Sequence, residues 1–232
     1  MEFQLELKLS AHKSQNTFKY RDMKQEELLE NFVGPLADRA GKDLMLGESD
    51  LDINQKHKIN LPGSIKSRIP HKILSYYNEI LYFKLAWTYK KDKSIRGFIR
   101  ILPIEEAVGD WEGKVYFKKR DPEHMKDFKV LDFFLPECCV GFYLAGKSGK
   151  PKEELYVFDR EDVPVGLNVD VEGYIQLLYM ARGFAYWPRV LQGLAGQEDA
   201  GVTEKFKKSM PKVFPDFKWE EFVALYEKVK LK

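Results

Sequence analysis

The stretch Gly97–Trp111, GFIRILPIEEAVGDW, holds the change of state that decides the fold. It reads as a strand running to Leu102, a stop at Pro103, and an acidic helix start that ends on Trp111. Proline has no N–H to give to a ladder and a fixed φ, so it ends the strand and suits the first turn of a helix. Three carboxylates, Glu105, Glu106 and Asp110, follow the strand end, a place where catalytic groups often sit. Glu105 and Glu106 are neighbours, so on a helix they diverge by about 100° and cannot face one substrate together. Glu106 and Asp110, four apart, share a helical face and would make a general acid–base pair if burial split their pKa values. The competing reading is that acids early in a helix complement its dipole.

Upstream, LYFKLAWTY (81–89) is strongly β-prone and KKDKS is a polar turn, so residues 81–102 read as an antiparallel hairpin. Downstream, FKVLDFF (128–134), CVGFYLAG (139–146) and ELYVFD (154–159) are three further strands, separated by Pro136 and the turn GKSGKPKE. Helical spacing dominates on either side. SIKSRIPHKILSYYNEI (64–80) carries the stripe Ile65, Ile69, Ile73, Leu74 and Tyr77, broken around Pro70. In NVDVEGYIQLLYMARGFAYW (168–187), Asp170 caps a helix whose face is Val171, Tyr174, Ile175 and Leu178, and Gly183 supplies a left-handed end.

Nearer the N-terminus, Met23, Leu28, Leu29, Phe32 and Val33 form a helical stripe that Gly34-Pro35 interrupts, with a short continuation over Leu36–Ala40. FQLELKLS (3–10) alternates strictly and reads as a half-buried strand, residues 41–60 as loop with one short strand, and Trp219–Val229 as the last helix. Strands in the middle with helices before and after give the α+β class, a central mostly antiparallel sheet flanked by helices. The expected layout is an N-terminal strand extension (1–19), a domain over 20–190 and a C-terminal helical tail packed on it (191–232).

The 232 residues lie between one large and two small domains on a prior of about 150 residues per domain. A hydrophobic fraction of 44% supports a sizeable core without staples. With 38 basic and 36 acidic residues the net charge is only +2, which gives no concentrated field for a nucleic-acid partner. The basic runs Lys90-Lys91-Asp92-Lys93 and Lys118-Lys119-Arg120 are short and read as solvated loops. No apolar run approaches the 18 or so residues of a membrane span, and the N-terminus lacks the features of a secretory signal. A cytoplasmic location is the expectation.

Motifs for chemistry do not assemble. The two cysteines, Cys138 and Cys139, are adjacent in an apolar segment, which disfavours a disulfide and favours buried thiols. The histidines His12, His57, His71 and His124 stand alone, without metal-ligand spacing; His124, between Glu123 and Asp127, reads as a surface residue. No G-x-S-x-G elbow occurs, and GKSGK (146–150) has the wrong order for a P-loop and reads as a hairpin turn. Asp159, Glu161 and Asp162 in FDREDVP repeat the ambiguity of the first acidic segment: a carboxylate site or a solvated turn. No catalytic residue, cofactor or metal is expected.

Taken in order, the pieces resemble the SUKH superfamily, which includes Smi/Knr-type regulators of fungal cell-wall (glucan) assembly and many bacterial immunity proteins. Leu61-Pro62 and Tyr76-Tyr77-Asn78 match its first helix, Trp87 its first hairpin strand, and GFIRILPIEEAVGDW its second strand and acidic helix. FKVLDFF, CVGFYLA and ELYVFDRE match the later strands, and VDVEGYIQLLYMARG the closing helix. The likeness spans about residues 60–184. It departs in the long tail after Ala185 and in the added N-terminal strand.

The resemblance implies a binding protein: an immunity protein covering a toxin domain, or a regulatory adaptor. Glu105, Glu106 and Asp110 would then meet a basic partner, with Trp111, Trp87 and Tyr89 as aromatic anchors. The same three aromatics suit a core better than an interface, since tryptophans in β-prone runs usually pack. Two other classes stay open: a carboxylate-dependent hydrolase or transferase around Glu106, Asp110 and Asp159, and a structural homo-oligomer.

Overall fold

The computed structural model describes residues 32–47, 50–52, 59–78, 82–135, 138–146, 149–159, 163–197, 199 and 201–232. The strand expected at Phe3–Ser10 and the stripe from Met23 to Leu29 lie outside these residues. The chain is already helical at Phe32 and runs through Gly34-Pro35 into α1 (Gly34–Arg39). The expected interruption there is corrected: Pro35 stands in the first turn, where its missing N–H would have had no helical acceptor.

Residues 41–60 hold two strands rather than one, β1 (Leu44–Leu46) and β2 (Asp50–Asp52). Each is three residues long, too short to show a period, and each is strand because it pairs antiparallel with β3 (Tyr82–Tyr89). Between β2 and β3 lie α2 (Gly63–Lys66) and α3 (His71–Tyr77), separated at Pro70 as the sequence predicts. β3 then turns back into β4 (Arg96–Ile101), in register from Phe83 opposite Ile101 to Thr88 opposite Arg96. The turn closes with Tyr89 N donating to Ile95 O at 2.9 Å and with the Asp92 carboxylate accepting from Ser94 N and Oγ.

After β4 comes α4 (Ile104–Ala107), then β5 (Phe128–Leu135), β6 (Cys138–Tyr143), β7 (Tyr156–Asp159) and the two-residue β8 (Val165–Gly166). All pairings are antiparallel, and the strand order is β1-β3-β4-β5-β6-β7-β8 with β2 also on β3. From β3 onward the eight-stranded sheet is therefore a meander, and the α+β expectation holds. Four helices finish the chain: α5 (Val171–Ala181), α6 (Trp187–Leu194), α7 (Val202–Val213) and α8 (Trp219–Val229).

Alternation along the strands sorts their side chains onto two faces. The large face receives Phe83, Leu85, Trp87, Ile99, Ile101, Val140, Phe142 and Val157, and packs with Tyr174, Leu178, Val190, Phe206, Phe214 and Tyr226 of the helical layer. The small face carries Phe128, Val130, Cys139 and Phe158, covered by Trp111, Val115, Tyr116 and Met125 from the β4–β5 connection. Both cysteines are buried and neither is in a disulfide.

α5 starts as expected, with Asp170 accepting from Gly173 N at 2.9 Å, and α5 packs against α3 and α8. Its left-handed end is taken by Arg182 (φ 50°) before Gly183 (φ 63°). The boundary expected at residue 190 falls inside α6, and the tail helices share one apolar core with the sheet.

Candidate functional site

The acidic segment after β4 is held by its own neighbours. Leu102 N donates to Leu131 O at 2.9 Å and Leu102 O accepts from Tyr77 Oη at 2.7 Å, which anchors the strand end to β5 and α3. Pro103, at φ −56° and ψ 148°, then opens the four-residue α4. Glu105 Oε1 accepts from Asn60 N at 3.3 Å, and Glu106 Oε1 pairs with Arg100 at 3.2 Å.

Asp110 lies beyond the helix, so the shared face expected for Glu106 and Asp110 does not form. The helix is too short to carry an i, i+4 pair. Asp110 Oδ1 instead accepts from Tyr116 Oη at 2.7 Å and from Glu112 N at 3.1 Å. Those two bonds, the Tyr116 bond first, hold its carboxyl below the usual range, and the same contact pushes the Tyr116 phenol up to about 12. A carboxylate held low is a poor general base at neutral pH.

The three aromatics named as candidate anchors occupy the core positions that their β-prone setting favours. Trp87 is 1% exposed and its Nε1 donates to Arg182 O at 2.6 Å. Tyr89 is buried on the same face, and Trp111 is 4% exposed with Nε1 donating to Ala107 O at 2.9 Å. An indole already satisfied inside the protein has neither area nor donor left for a partner. In the second acidic segment, Asp159 pairs with Arg189 of α6. Glu161 and Asp162 lie outside the described residues.

Hydrogen bonding reaches into the core at Asp132, which is fully buried. Its Oδ1 accepts from Arg100 N at 3.0 Å and its Oδ2 from Tyr174 Oη at 2.8 Å. Burial outweighs both bonds and raises this carboxyl to about 6. Asp132 sits at a register shift between β5 and β6, and its two bonds tie β4 to α5.

A concave site opens on the small face of the sheet, with a volume of about 380 Å³. Its wall is the edge-to-face pair Tyr143 and Tyr156, from β6 and β7, with ring centroids 5.1 Å apart. Leu144–Gly146, His124, Lys150 and Lys152 complete its lining. Tyr143 is braced by Phe128 at 5.3 Å and donates to Met125 Sδ at 3.6 Å. Burial pushes both phenols up to about 12, Tyr156 with added help from Glu154, so they stay neutral donors at physiological pH.

The acids near this site bond within the fold, and Glu154 also bonds the Tyr156 phenol. Glu153 caps α3 by accepting from His71 N (2.9 Å) and Lys72 N (3.1 Å), and Glu154 accepts from Asn168 N (3.2 Å). Asp127 pairs with Arg68 at 2.8 Å, and Glu123 with Lys126. Among the described residues no carboxylate pairs with Lys150 or Lys152. Tyr143, Tyr156, Lys150 and Lys152 are absent from the sequence-based candidates. The available signal was the alternation Tyr143/Phe142 and Tyr156/Val157 around a lysine-rich turn, but period 2 says only that faces differ, not which face is left open.

Comparisons with family models, with curated proteins and with solved structures give no match for this chain. Among the described residues no group of three histidine, cysteine, aspartate or glutamate side chains is placed to hold a metal ion, and no helix is long and apolar enough to cross a membrane.

Proposed function

We propose that this chain is a cytoplasmic protein-binding module of the SUKH kind, an immunity protein for a toxin domain or an adaptor of the cell-wall-assembly type. The observation that carries the reading is a division of labour among the polar side chains. The carboxylates nominated for chemistry, Glu106, Asp110 and Asp159, are each engaged in bonds that fasten one part of the fold to another. The concave site, by contrast, is lined by tyrosine, histidine and lysine, which recognise a partner without needing a nucleophile–base pair. The Leu-Pro helix, the meander and the strand–proline–acidic helix also follow the order on which the resemblance rests.

The test is association of the purified chain with the product of its neighbouring gene, measured by calorimetry. A stoichiometric complex, with no turnover lost on replacing Glu106 and Asp110 by alanine, supports the reading. Failure to bind any neighbouring product, together with a turnover abolished in that double variant, overturns it in favour of a carboxylate-dependent enzyme.

A further inference from the structure

The charge expected of the partner was basic, to suit the acids after β4, yet those acids are balanced where they stand. Glu106 faces Arg100, Glu112 faces Lys118, and Asp110 lies within the field of Lys118 and Lys129. The concave site carries the opposite sign, and among the described residues no carboxylate pairs with its Lys150 or Lys152. From the geometry we infer that the pocket between Tyr143 and Tyr156 receives an acidic segment of the partner protein, with a carboxylate seated between Lys150 and Lys152. This rests on the binding-module reading and reverses the charge it first suggested.

Lys150 and Lys152 stand two residues apart on the run into β7, and both line the pocket. Both side chains are exposed where they line the pocket, so one anionic guest can meet both ammonium groups. His124 adds a third nitrogen donor or acceptor, and its ring lies 6.1 Å from that of Tyr143. The phenols do not repel an anion because they remain protonated. Tyr143 Oη gives its proton only to a thioether, a weak acceptor that a carboxylate readily replaces.

The whole chain carries only +2, so no general field draws anions here and the local pair of lysines decides. The volume of about 380 Å³ is at the low end for small-molecule sites. It opens to solvent, which suits side chains entering from a larger body rather than a ligand that must be enclosed.

The test uses the full chain and a fluorophore-labelled hexaglutamate peptide, followed by anisotropy at about 50 mM salt, where screening is weak. The expected result is saturable binding that weakens at least about tenfold in Lys150→Glu/Lys152→Glu and is unchanged in Lys91→Glu/Lys93→Glu, on the hairpin turn at the far end of β3. Tyr143→Phe should weaken it by several fold, as the hydroxyl donor is lost while the ring stays.

Equal loss in both lysine pairs, no binding of hexaglutamate, or tighter binding of hexalysine overturns the inference. So does binding of inorganic phosphate alone, which would mark the pocket as a site for a free anion. A neighbouring-gene product that binds the Lys150→Glu/Lys152→Glu chain as tightly as the native one overturns this inference and leaves the binding-module reading standing. A native chain that binds hexaglutamate but no neighbouring product overturns the module reading alone.

Discussion

Replacing Gly97 by alanine should unlock the fold at the point where the decisive stretch begins. Gly97 lies directly opposite Trp87 in the β3–β4 register, and the indole lies across it. A Cβ at Gly97 would sit 2.2 Å from Trp87 Nε1, 2.4 Å from Cε2 and 2.6 Å from Gly183 O. Two of these atoms belong to a side chain that is 1% exposed and the third to backbone, so none can swing clear. Gly97 also bridges Phe184, and Phe98 N donates to Gly183 O at 2.8 Å, so the turn after α5 is fastened to β4 here.

Moving the indole breaks its 2.6 Å bond to Arg182 O and strands a donor and an acceptor in the core. Overpacking costs about 1–3 kcal/mol. An unmade buried hydrogen bond costs about 1–3 kcal/mol more. The expected loss is therefore about 4 kcal/mol, a large part of the roughly 5–15 kcal/mol that holds a typical domain. Urea denaturation should show it as a midpoint lowered by about 2 M with the slope unchanged.

Gly63→Ala is the control, since nothing lies within 4 Å of its added Cβ, and it should be neutral or slightly stabilising. Trp87→Phe should soften the Gly97→Ala penalty, because the shorter ring withdraws both clashing atoms. A Gly97→Ala loss below about 1 kcal/mol, or strict additivity with Trp87→Phe, would refute the packing argument.

Asp132 predicts a pH dependence of stability. Its folded pKa of about 6 lies above the unfolded value of about 4, so the folded state binds the proton more tightly and stability falls as pH rises between the two. The fall should total about 3 kcal/mol, be flat above about pH 7, and vanish in Asp132→Asn when urea midpoints are compared across pH. Asp170→Ala removes the α5 cap and the partner of Lys72, and should cost about 1–2 kcal/mol by thermal unfolding. Gly141→Ala would set a Cβ 2.1 Å from Lys129 O, and should prevent soluble expression or lower the melting temperature more than Asp170→Ala does. Glu106→Ala/Asp110→Ala should leave hexaglutamate binding unchanged by anisotropy, since both carboxylates lie in the β4–β5 connection outside the pocket lining.

How much of this was legible follows from the range over which each feature is encoded. The strands β3 to β7 and the capped α5 show in the sequence because alternation, proline stops and Asp170 are local signals. β1 and β2 do not, because their strand state is conferred by the edge of β3. In the tail, α6 and α7 join the one helix located there in advance. α7 carries the stripe Val202, Phe206, Met210 and Val213, but Pro211 inside it argues locally for a break. Pro211 stands in the last turn, and burial of Phe206 and Met210 against the tail aromatics outweighs its missing hydrogen bond.

The acids after Pro103 are close in sequence, and closeness in sequence is what makes them structural. A carboxylate near a strand end finds backbone N–H groups and cations within a few residues, as Asp110 finds Glu112 N and Tyr116, and Glu106 finds Arg100. Charge that local partners neutralise cannot steer an encounter. The residues of the concave site come from four places, the 3-10 turn that carries His124, β6, the run after the Gly146 turn, and β7. Their neighbours Glu123, Glu153 and Glu154 are committed to Lys126, to the start of α3, and to Asn168 and Tyr156, and among the described residues none of them pairs with the two lysines. The topology thus fixes the acids at one end of the sheet as braces and leaves unspent cationic charge beside two neutral phenols. On that ground the proposed recognition surface lies on the small face, beyond β5, rather than at the end of β4.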